Sequence, residues 1–116
     1  MALFARKPDG DAVQAHIDRL EAMPLDALAQ ELLGVVVAVD GLPFGADGPT
    51  LYEVVEQLVG GKAKAAQQLE LGRVVAEGLQ QLEHQSLVRV SVGLRNQSSE
   101  LQYIPTRAGH TAVAGA

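Results

Sequence analysis

Apolar residues recur at helical spacing in four successive stretches and then, from Leu87 onward, at every second position. Val13, Ile17 and Leu20 make the first stripe, so the pattern predicts a helix from Asp11, its cap, to Ala22, behind a flexible lead at residues 1–10. Pro24 suits the first turn of a second helix. Its stripe is Leu25, Leu28, Leu32, Val35, Val36 and Val39, and Asp40 and Gly41 end it. Residues 41–49 are rich in glycine and proline and read as a loop. Thr50 and Glu53 stand at capping-box spacing, where each side chain reaches the other's free backbone N–H. They open a third helix with Leu51, Val54, Val55 and Leu58 inward and Gly60 and Gly61 as its stop. After a connection at 62–67, a fourth helix is expected from Gln68 to Gln85. Leu71, Val75, Leu79 and Leu82 face inward on it, and Gln68, Arg73, Glu77 and Gln81 face outward.

The change of period marks the end of the helices. Val88, Val90, Val92 and Leu94 alternate with Arg89, Ser91, Gly93 and Arg95, as in a half-buried strand. A turn at 95–100 returns the chain as a second strand over 101–104, and Pro105 closes it because proline has no N–H to give a ladder. Thr106 opens a short helix that frays at 114–116. The expected class is therefore α+β and mostly helical, with a single domain over 11–113.

Composition narrows the functions open to such a chain. Aromatic residues are 3% of 116, too few for stacking platforms that hold single-stranded nucleic acid. There is no cysteine, which excludes disulfides, thiolate nucleophiles and cysteine zinc sites and fits a cytoplasmic setting. The most hydrophobic stretch, 25–39, carries Asp26, Gln30 and Glu31, so no membrane span is expected. Net charge is -5, which opposes phosphate binding, yet its distribution is uneven. Residues 1–61 hold three basic and ten acidic groups, whereas residues 62–116 hold six basic and four acidic.

Three stretches resemble a known pattern. Leu51 to Val55 is similar to the aromatic and acidic opening of the second helix of the PadR family of transcriptional regulators. Leu79, Leu82, Glu83, Leu87 and Val88 resemble the end of that family's recognition helix, and Tyr103, Pro105, Thr106 and Gly109 its junction between wing and last helix. The resemblance implies a winged helix-turn-helix with a two-stranded β-hairpin wing at 87–104 and an extra N-terminal helix. It implies a DNA-binding, homodimeric transcriptional regulator. The chain departs from the pattern at three places. Ala76 and Glu77 stand where relatives carry a Tyr-Pro pair, Ser86 stands where they carry glycine, and their long C-terminal dimerisation helix has no counterpart. A dimer would then use another surface, such as the helix from Asp11 to Ala22.

A winged fold would place the front of the fourth helix in a major groove and the 95–100 turn beside the backbone. The expected contact residues are Lys62, Lys64, Gln67, Gln68, Arg73, Arg95 and Asn96: ammonium groups for phosphates, glutamine and arginine donors for base edges. Glu70 and Glu77 on the same helix would repel phosphates, which motivates the alternative of a winged helix that docks partner protein and never touches DNA. Catalysis and cofactor binding find no support. His16, His84 and His110 share no helical face at ligand spacing, and Gly60 to Lys62 lacks the spacing of a phosphate-binding loop. Ser98 and Ser99 have no base near them, and Asp9 with Asp11, or Glu53 with Glu56, are acidic pairs without a pocket.

Overall fold

The computed structural model describes residues 8–39, 49–60, 63–95 and 98–115. Among these are five helices and one antiparallel hairpin: α1 (Pro8–Ala22), α2 (Leu25–Val39), α3 (Leu51–Val59), α4 (Ala65–His84), β1 (Val88–Arg95), β2 (Ser98–Pro105) and α5 (Arg107–Ala114). The protein is α+β and mostly helical, as the periodicity predicts.

Helix boundaries follow local chemistry, and some differ from expectation. Helix α1 starts at Pro8, three residues before the expected cap at Asp11. Proline at a first helical position needs no N–H partner and already has the right φ. Helix α3 opens as the sequence implies. Glu53 N–H donates to Thr50 Oγ1 and Thr50 N–H to Glu53 Oε1, and Gly60 ends the helix in the left-handed conformation at φ 65°. Helix α4 begins at Ala65, three residues before the expected start, because Gln67 Oε1 accepts from the N–H of Lys64 and stands in for a capping side chain. Helix α5 runs on to Ala114, into the stretch expected to fray.

Helix α2 is the centre of the molecule, packing against α3, α4, α5 and β2, while α1 lies on α4. Leu32, Leu33 and Val36 of α2, Ile17 and Leu20 of α1, Val54 of α3 and Leu71, Val75, Leu79 and Leu82 of α4 are fully buried. Burying a Leu side chain is worth roughly 1.5–3 kcal/mol, so this cluster is the main source of stability. At Gly78 the α4 backbone passes α2 so closely that an added Cβ would run into Leu32 Cδ1 and Leu28 Cγ. Leu25, expected on the apolar stripe of α2, is instead 44% exposed, because α2 begins at this residue, just past the turn from α1.

The hairpin is longer than predicted. Its ladder pairs Val88 with Pro105 and continues to Arg95 with Ser98, so the second strand starts at Ser98. Thr50 forms a bridge to Gln102, and Tyr103 N–H donates to Pro49 O, tying the segment before α3 to the free edge of β2. The expected loop at 41–49 lies outside the described residues apart from Pro49. Val88 is buried as its alternation implies, but Val92 is 67% exposed and its cross-strand partner Leu101 is 52% exposed. Among the described side chains of the hairpin, Val88 at its base joins the apolar core. Helix α5 is pinned at this base, where Thr106 Oγ1 donates to Ser86 O and Thr106 N–H to Leu87 O.

Candidate interaction surface

Helix α4 crosses the molecule with three different faces. Its buried face meets α2 and α3, and a second face looks at α1. The third consists of Ala65, Ala66, Leu69, Arg73, Glu77, Gln80 and Glu83, all exposed. Leu69 is 71% exposed, and Gly72, on the edge of this face, has open space around it.

The expected contact residues divide sharply. Lys62 and Asn96 lie outside the described residues, as does the side chain of Arg95, whose backbone ends β1. Lys64 is exposed at the N-cap of α4. Gln67 and Gln68 are half-buried and already engaged. Gln67 caps the helix through Oε1 and donates from Nε2 to Gln14 Oε1 at 3.2 Å, while Gln68 Nε2 donates to Ala63 O at 3.2 Å. Arg73 is exposed, but its side chain lines a cavity beside Glu21, Glu70 and Glu77 instead of standing with Lys64. Gln81, expected outward, is half-buried and donates to Asp26 Oδ1 at 3.2 Å.

Charge on the α1 side of α4 is strongly negative, and sequence reasoning missed this grouping. Asp18 and Glu21 of α1 and Glu70 of α4 bring carboxylate oxygens within 4.8 Å of one another. Gln14 sits among them, with Nε2 at 3.0 Å from Asp18 Oδ1 and 3.4 Å from Glu70 Oε1. Partial loss of hydration and the neighbouring Glu70 carboxylate hold the Glu21 carboxyl above its ordinary range, an effect that Arg73 reduces. A hard cation could use such oxygens, of which those of Asp18 and Glu21 are exposed and those of Glu70 half-buried. The usable signal in the sequence was the i, i+3 pairing of Asp18 with Glu21, and only the packing of α1 on α4 adds Glu70.

The opposite edge of α1 is neutralised. Arg19 Nη2 lies 2.7 Å from Glu31 Oε2 and Nη1 3.1 Å from Glu31 Oε1, a two-pronged pair that lowers the Glu31 carboxyl below its ordinary range. His16 Nδ1 lies 3.1 Å from the same guanidinium, so this histidine belongs to an ion-pair edge. No helix among the described residues is long and apolar enough to cross a membrane. No family model matches the chain, and neither the curated proteins nor the solved structures compared with it give a match.

Proposed function

We propose that this chain is a winged-helix module that binds protein through the outward face of α4, with a second copy of itself as the partner. The winged-helix reading is supported by the order α3, left-handed Gly60, α4, hairpin, and by the single bridge from Thr50 to Gln102 at the free edge of β2. The observation that carries the binding mode is the composition of the α4 face. Where a DNA reader presents basic and polar donors, this face presents an exposed Leu69 flanked by Ala65, Gly72 and Ala76, one arginine and two glutamates. Small residues let two helices approach closely, and a face with Arg73 one turn from Glu77 is self-complementary when reversed.

A second reading, a DNA-binding transcriptional regulator of the PadR type, is favoured by the same helix-turn-helix arrangement and by Lys64 standing exposed at the start of α4. One pair of measurements separates the two. Sedimentation velocity of the full chain is expected to show a reversible dimer that Leu69→Asp dissociates, and fluorescence anisotropy is expected to show no binding of a short random DNA duplex even at low salt. Binding to that duplex that weakens steeply with salt, and is lost when Lys62, Lys64 and Arg95 are replaced by alanine, would establish the second reading and overturn the first.

A further inference from the structure

We propose that the groove between the α1–α2 corner and α4 binds a small organic cation with an apolar body. Arg73 and Glu77 belong both to this groove and to the outward face of α4, so a partner seated on that face would compete with the ligand. The groove has a volume of about 780 Å³, within the range of about 300–1,000 Å³ that small ligands occupy. Met23 and Leu25 present apolar wall above the buried Leu20, Leu28 and Val74, and Glu21, Glu70, Glu77 and Arg73 stand around it.

Two features specify the occupant. The first is charge. Three carboxylates face one guanidinium, and Glu21 and Glu70 lie close enough to repel each other, with Asp18 adding to the repulsion. A monovalent cation beside them offsets repulsion that a neutral molecule would leave in place and an anion would increase. The second is the wall. Leu25 is 44% exposed at the first turn of α2, and covering it removes apolar area from water, which a bare inorganic ion does not do. The complementary ligand is an ammonium carried on a hydrocarbon or aromatic body.

Isothermal titration of the full chain with (4-phenylbutyl)trimethylammonium tests this, with 4-phenylbutanol and 4-phenylbutyrate as neutral and anionic counterparts. The expected result is one-to-one binding of the cation, about tenfold tighter than the alcohol, or on the order of 1.4 kcal/mol, with the carboxylate weakest. Glu21→Gln and Glu70→Gln should each weaken the cation toward the affinity of the alcohol, Arg73→Gln should strengthen it, and Lys64→Ala should leave it unchanged. Leu25→Asn should weaken cation and alcohol alike, and serves where a carboxylate variant does not fold by circular dichroism. Equal affinity for cation and alcohol, indifference to the glutamine variants, or displacement of the cation by calcium at equal concentration would each overturn the proposal, the last by assigning the carboxylates to a metal ion.

Discussion

Along one flank α4 meets α2 with Gly78 against Leu28 and Leu32, and the Gln81–Asp26 hydrogen bond lies toward the end of that contact. Along the other it meets α1 through Gln14, Gln67 and a group of carboxylates that repel one another. The α2 flank is close-packed, so its contribution rises with every contact made and falls steeply when one is removed. The α1 flank is held by hydrogen bonds and by the buried side chains of Ile17 and Leu20, while its outer edge carries an electrostatic cost. A single helix thus has one side built for stability and another that tolerates unfavourable charge, and it is the second side that borders a cavity with something to gain from a ligand.

Breaking the first flank should have the largest effect. Leu32→Ala removes a fully buried side chain from the contact with Gly78 and should lower unfolding free energy by about 2–5 kcal/mol, read from urea denaturation midpoints at unchanged slope. Gly78→Ala sharpens the same contrast from the opposite direction. Alanine favours a helix interior by about 1 kcal/mol over glycine, but its methyl group meets Leu32 and Leu28, and overpacking costs about 1–3 kcal/mol. The expected sum is a net loss, measured the same way. Gly72→Ala, with open space around it on the same helix, should gain stability by the propensity alone.

What could be read without the structure was what local chemistry decides. The Thr50 and Glu53 box, the Gly60 stop and the buried stripe of α4 stand where spacing puts them, because each depends on residues within one or two turns. Ser86, between α4 and β1, carries no such signal, and its φ of 62° is the left-handed conformation that glycine favours. The candidate contact face was not legible for a different reason. Gln67 and Gln68 look like free donors in sequence, and only the start of α4 at Ala65 and the crossing of α1 show where their amides are used. The division into an acidic first half and a basic second half is one of sequence and not of space. Folding brings Glu21 and Arg73, 52 positions apart in sequence, to the wall of one cavity. Leu25 satisfies helical periodicity yet sits on that same wall, since periodicity reports a direction and not whether a neighbour lies there.

The smallest expected effect is the most discriminating, because the two edges of α1 should respond to pH with opposite sign. Arg19 lowers the Glu31 carboxyl below its ordinary 4.5, so the folded protein holds that proton less tightly than the unfolded chain. The resulting stability is present above that ordinary value and is lost as pH falls through the lowered folded value. Glu21 is raised from the same 4.5, so its contribution is present below the ordinary value and is lost as pH rises through the raised one. Glu31→Gln should therefore be less stable than the wild type at neutral pH, and Glu21→Gln more stable. Both differences should close on acidification, that of Glu21→Gln first, because the wild-type Glu21 is protonated at the higher pH. Added salt should shrink both, since both groups are largely in contact with water. Thermal denaturation midpoints of the three proteins from pH 3 to 7 measure this directly. If both variants moved in the same direction at neutral pH, the carboxylates beside α4 would carry no repulsion, and the contrast between the neutralised and the charged edge of α1 would be lost.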